Sequence, residues 1–146
     1  VSKEIEAQFE RYLDFGFTEK HFDSHHHVHT DRPVWLVIRP LAKKYGFKTS
    51  RLGRNVYDKA DAFNRLYKGW LNASIKSAGL AYTDYFGSFK DYEEMWDKLP
   101  IAFKGEMMLH PMYSDDGVLM DTNTPMEVIE KFLNDRKVVV EAISDK

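Results

Sequence analysis

Five of the six histidines fall within one ten-residue stretch, His21 to Thr30, which reads HFDSHHHVHT. Read as a strand, its side chains alternate, so Asp23, His25, His27 and His29 share one face while Phe22, Ser24, His26 and Val28 share the other. One face is then a row of imidazoles headed by a carboxylate. Neutral imidazole is the commonest protein ligand for divalent metals such as zinc, and a neighbouring carboxylate can fix its tautomer. The pattern therefore points to a metal site. Two plainer readings compete. An expression tag sits at a terminus and is rarely broken by Val or preceded by Asp-Ser, which argues against the first. The second is a solvated loop that merely contains histidine, and the helix start that follows at once, Asp31-Arg32-Pro33, weighs against it. Functional groups in α/β proteins collect at the carboxyl ends of strands.

Two more residues have chemistry at such an end. The spacing predicts a strand over FKGEMMLHP, residues 103–111, in which Glu106, Met108 and His110 alternate onto one face and Pro111 ends the ladder. His110 suits a catalytic role there, and a structural histidine suits the position too. Arg51 closes a short predicted strand, FKTSRL at 47–52, with an ordinary surface charge as the alternative.

The elements that must position these residues alternate along the chain. Residues 3–15 place Ile5, Phe9, Tyr12 and Leu13 at helical spacing, with Gly16 as a stop. A helix over 33–45 starts with Asp31 or Thr30 as cap and Pro33 in its first turn, and Pro40 should kink or restart it before Gly46. From Val56 to Ala78, Tyr57, Ala60, Phe63, Tyr67, Trp70, Leu71 and Ile75 recur every three or four residues, which reads as a buried helical face ending at Gly79. LAYTDYF at 80–86 reads as a strand, and Ser88 with Asp91 has the spacing of a capping box for a helix over 89–99, where Tyr92, Met95, Trp96 and Leu99 face inward. Residues 112–123 read as an exposed loop able to overhang a site. Thr124, Pro125 and Glu127 open a last helix, and VVVEAI at 138–143 reads as a final strand. This alternation predicts an α/β fold, a mostly parallel sheet flanked by helices, forming a partial or distorted (β/α) barrel. Four or five strands cannot close an eight-stranded barrel, so absent strands or partners must complete it.

Bulk composition narrows the classes. The 146 residues suffice for one domain with a core, and 43% apolar with 14% aromatic content argues against disorder. A formal charge of −2 and no basic run make nucleic acid an unsuitable partner. Without cysteine there is neither a disulfide nor a thiolate site, and no apolar run approaches the ~20 residues that span a bilayer. There is no G-x-S-x-G elbow for a serine nucleophile. The sequence starts at Val1 inside a charged amphipathic segment, which reads as an excerpted chain with a cytoplasmic address as the default.

The run HFDSHHHVHTDRP, preceded by EIEAQFERYLDFGF, resembles the YdjC-like carbohydrate deacetylase family, which includes the chito-oligosaccharide deacetylases. TSRLGR around Arg51, TDYFG at 83–87 and GEMMLHP at 105–111 follow in the family's order, so the resemblance covers nearly the whole chain. It implies a distorted (β/α) barrel and divalent-metal-dependent hydrolysis, with magnesium or zinc, of an N-acetyl group on an amino sugar or oligosaccharide. It also implies that His25, the first histidine after Asp-Ser, is a metal ligand. The family's other two ligands are an Asp from an Asp-Asp-Phe-Gly motif and a His on the next strand. Neither motif occurs here, since DFG at 14–16 follows a helix and lacks the paired Asp. The chain thus reads as the C-terminal portion of such a barrel, residues 1–146 forming a single domain. On this footing His110 donates a proton to the departing amine and Asp23 orients an imidazole. His27 lines the pocket or joins the coordination, Arg51 steadies substrate or base, and Tyr113 meets the sugar rings. Two other classes fit the residues: a metal-dependent hydrolase of phosphoesters or other amides, and a non-catalytic sugar-binding fragment that pairs with itself, as a homodimer, through bare sheet edges.

Overall fold

The computed structural model describes residues 1–56 and 62–141. Helix α1, Ser2–Asp14, turns Phe9 inward, and Ile5 and Tyr12 pack beside it, as the spacing requires. Strand β1, His21–Phe22, runs parallel to β2, Thr49–Ser50, with His21 opposite Thr49. Between them lies α2, Arg32–Tyr45, which ends where Gly46 takes a left-handed φ of 73° and Phe47 N–H returns to the Ala42 carbonyl. Pro40 does not break α2. It and Leu36, whose carbonyl it leaves without a donor, both lie on the exposed side, where water can take over. Asp31 caps α2 by position but makes no side-chain cap bond.

Helix α3, Ala62–Ser77, follows. Leu71 and Ile75 are fully buried, whereas Phe63, Leu66 and Trp70 stand exposed, which corrects the expectation of an aromatic core face. Tyr57 and Ala60, assigned to the same face, lie outside the described residues. Strand β3, Tyr85–Ser88, pairs in parallel with β4, Gly105–Met108. The strand expected over 80–86 thus starts late, its earlier part contributing one parallel bridge from Ala81 to Thr49. Between β3 and β4, α4 (Phe89–Met95) begins with the reciprocal Ser88–Asp91 capping box read from the sequence and passes into a short 3-10 turn, Trp96–Lys98.

The C-terminal part departs most from expectation. Pro111 opens a strand instead of ending one: β5, Pro111–Tyr113, pairs antiparallel with β6, Leu119–Asp121, and β6 with β7, Thr124–Pro125. The loop expected at 112–123 is therefore a hairpin, tied by Ser114 and Val118 at its tip. Thr124 and Pro125 serve the sheet, and α5, Met126–Asp135, starts without a side-chain cap bond. Residues 138–141 form no strand, and the rest of VVVEAI lies outside the described residues.

Two apolar clusters hold the layers together. Phe9, Phe22, Trp35, Leu41, Phe47, Leu71 and Ile75 join α1, α2 and α3 to β1 and β2, while Phe89, Tyr92, Ile129 and Phe132 join α4 to α5. The result is a mixed α/β fold with two small parallel sheets and one antiparallel sheet, and no closed barrel among the described residues. The gap between the parallel sheets is stitched by Asn55, whose backbone N–H donates to the Phe86 carbonyl and whose side chain accepts from Phe86 N–H and donates to the Asp84 carbonyl.

Candidate functional site

The histidine run leaves the sheet after Phe22. Residues His25–Thr30 form two tight 3-10 turns joined across a kink, with His26 and His27 at left-handed φ of 52° and 58°. Such a conformation costs roughly 1–2 kcal/mol per residue, so local bonds must hold it. Ser24 Oγ accepts from His29 N–H at 2.9 Å, and Thr30 Oγ1 donates to the His27 carbonyl at 2.7 Å. Short hydroxyl side chains competing with the ladder in this way are what strand periodicity overlooks. The expectation that Asp23, His25, His27 and His29 share one strand face is accordingly corrected.

The histidines part company. His29 is fully buried, its Nδ1 accepting from Ser24 Oγ at 2.6 Å and its Nε2 donating to the Arg51 carbonyl at 3.2 Å. Burial, reinforced by the Arg51 charge, lowers its pKa to about 4, so it is a neutral structural residue. His21 bonds Thr49 Oγ1 at 3.0 Å, and burial lowers its pKa too. His25 is exposed, its ring 4.1 Å edge-on from that of His26.

Arg51 gathers the rest. It follows β2 with its side chain almost wholly buried, and its Nη1 meets Asp23 Oδ2 at 2.7 Å. Nη2 donates to the Ser24 carbonyl at 3.1 Å and to His27 Nδ1 at 2.9 Å, while the guanidinium lies 4.6 Å from the Phe86 ring centroid. Its Nε is buried without a hydrogen-bond partner among the described residues. One cation thus ties the histidine turn, at the carboxyl end of β1, to β2 and β3. Burial first, then the Arg51 charge, lowers the His27 pKa, with His110 near enough to add to the effect.

Glu106, inside β4, is close enough to feel the charges of this cluster. It is half-buried, burial raises its pKa, and the charges of Arg51 and Asp23 both act on it. Its alternation with His110 along 103–111 is the sequence signal that points to it. His110, just beyond β4, keeps an exposed ring. Its backbone N–H donates to Asp121 Oδ1 at 2.6 Å, and its Nδ1 lies 3.8 Å from the same oxygen, so β6 fixes where it stands. Tyr113 is 72% exposed on β5 and joins no cluster among the described residues. Beside the site, Arg54 pairs with both carboxylate oxygens of Asp91, the acid of the α4 capping box.

Among the described residues, no three His, Asp or Glu side chains converge to hold a cation. His27 is also chemically unsuited in this arrangement. Arg51 can only donate, so Nδ1 of His27 accepts, and the neutral ring keeps its proton on Nε2. Of the residues expected at the site, Asp23, Arg51 and His27 meet in one cluster, with Glu106 acting on it electrostatically and His110 at its rim, while His25, the expected metal ligand, lies exposed outside it.

A family model described as YdjC-like protein matches residues 1–145. A carbohydrate deacetylase of Vibrio parahaemolyticus is 40% identical over 142 residues, covering 87% of this chain and 46% of the relative. One from Halalkalibacterium halodurans is 33% identical over 118 residues, 80% of this chain and 45% of the relative. A chitooligosaccharide deacetylase of Klebsiella pneumoniae is 26% identical over 125 residues, 82% and 46% of the two chains. The chain spans about half the length of the curated relatives it matches. No solved structure matches it.

Proposed function

The chain belongs to the YdjC-like protein family, and from that premise we propose that it serves a hydrolase removing N-acetyl groups from amino sugars or chito-oligosaccharides. The observation that carries the reading is the gathering of Asp23, Arg51 and His27 just beyond β1 and β2, with His110 just beyond β4 and Glu106 acting on them electrostatically from within β4, in a chain whose relatives are named deacetylases. Hydrolysis of an acetamide adds water to the carbonyl carbon, breaks the C–N bond and moves a proton onto the departing nitrogen. His110 is the group for that proton, since its ring is exposed at the rim and its backbone is held by Asp121. Arg51 holds Asp23 and His27 in place, and Tyr113 offers an exposed ring to a sugar face.

A divalent cation, magnesium or zinc, enters this proposal only through His25, because the described residues supply no complete ligand set. His25 is the residue of this chain that would hold it, and the chemistry it would supply is Lewis-acid polarisation of the acetamide. No helix among the described residues is long and apolar enough to cross a membrane.

The test is acetate release from N-acetylated chito-oligosaccharides with magnesium or zinc supplied. Release that His110→Gln abolishes supports the assignment. Phosphate release from phosphomonoesters without acetate release sinks it and favours the other hydrolase class. A second reading, self-assembly, draws on the free edges of β1 and β4, each paired on one side only among the described residues. Sedimentation finding only monomer at micromolar concentration removes it.

A further inference from the structure

The bond between Arg51 and His27 decides more than packing. Guanidinium nitrogen carries hydrogens and no lone pair free to accept, and it does not deprotonate in proteins. Its approach to 2.9 Å of His27 Nδ1 therefore makes that nitrogen the acceptor, and leaves the neutral ring's single hydrogen on Nε2. Arg51 is itself held fast. Nη1 is bound to Asp23, Nη2 also bonds the Ser24 carbonyl, and the plane lies over Phe86, whose ring meets that of His27 edge-on at 5.6 Å. The backbone of His27 is fixed as well, its carbonyl accepting from Thr30 Oγ1. Among the described residues Nε2 of His27 has no hydrogen-bond partner, and the ring is half-buried.

We propose that Arg51 is a positioning residue that locks His27 as the neutral Nε2–H tautomer, so that the ring presents a fixed donor to an acceptor oxygen of the substrate. Under the deacetylase reading, on which this last step rests, that oxygen is the acetamide carbonyl, where negative charge builds as water adds. A pre-aimed neutral donor stabilises such charge without proton transfer. Asp23 then acts through Arg51 by fixing the guanidinium, rather than by touching an imidazole.

The experiment is long-range nitrogen–proton NMR of the histidine rings in this chain at pH 7, in wild type, Arg51→Lys and Arg51→Met. The wild type is expected to show His27 with Nδ1 unprotonated as a single species, Arg51→Lys to retain it, and Arg51→Met to show both tautomers. A protonated Nδ1 in the wild type overturns the proposal, and this needs no variant to fold. So does an unchanged tautomer in a folded Arg51→Met. Adding diacetylchitobiose is expected to shift the His27 Nε2 resonance in the wild type. If hydrolysis proceeds with no such shift, the donor role falls while the deacetylase reading stands. A locked tautomer in a protein that releases no acetate leaves Arg51 its positioning role and removes the deacetylase reading alone.

Discussion

Acidification should destabilise this protein through His29, by an amount the buried ring sets. Its pKa falls from 6.5 to about 4 on folding, because a charged imidazole there has no water and faces Arg51. A base whose pKa is lowered by folding binds its proton more readily in the unfolded chain, so stability is complete above pH 6.5 and is lost as pH falls toward 4. The loss amounts to about 2 kcal/mol at pH 5 and about 3 kcal/mol at pH 4, a large share of the ~5–15 kcal/mol that holds a domain together. The assay is urea unfolding across this range for wild type and His29→Gln, whose amide keeps a donor for the Arg51 carbonyl and does not titrate. The substitution lowers stability at pH 7, so the comparison is between slopes. His21 and His27 shift in the same direction as His29, and Glu106, raised by burial, shifts the opposite way. All three remain in both proteins and cancel. The wild type should lose about 3 kcal/mol more than the variant between pH 7 and pH 4. Parallel slopes would refute the claim that His29 is buried neutral.

Replacing Trp35 with Ala should cost roughly 3–5 kcal/mol in urea unfolding, because the ring is fully buried and its Nε1 donates to Ser74 Oγ at 2.8 Å. A loss under 1 kcal/mol would mean that the first cluster is not packed as described. Asp91→Asn should lower the melting temperature by an amount matching roughly 1–2 kcal/mol, since Oδ2 accepts from Ser88 N–H and Oγ–H and both oxygens pair with Arg54. An unchanged melt would remove the cap from the account. Gly87→Ala places a Cβ 2.9 Å from that of Val56 and 3.1 Å from that of Asp91, an overpacking that should cost roughly 1–3 kcal/mol by the same measurement. A neutral or stabilising result would show that β3 does not approach Val56 so closely.

Local signals carried several elements well. Helix α1, the Gly46 stop of α2 and the Ser88–Asp91 box each depend on residues within a turn or two, and each stands where the sequence puts it. The failures were choices between periodicity and short polar contacts. At β5 the proline that ought to end a ladder opens an edge strand, where its missing N–H does no harm. Along α3 the three-to-four spacing correctly gave a helix but not which of its faces is covered, because Leu71 and Ile75 meet the core while Phe63 and Trp70, on the same pattern, do not.

Which residues lie together was more legible in the sequence than how they meet. Asp23, His27, Arg51 and His110 were all identified from residue type and from position at strand ends, and that rule needs no knowledge of side-chain direction. What unites them is different. A row of imidazoles suggests a cation at its centre, and here the buried cation is a guanidinium, with Asp23 on one nitrogen and His27 on another. Ser24 explains why. By accepting the His29 N–H it closes the turn that swings His25 out to the surface and folds His27 back onto Arg51. The two hydroxyls, on Ser24 and Thr30, therefore decide which histidine faces solvent and which faces the site, and neither is a residue that a search for chemistry would stop at.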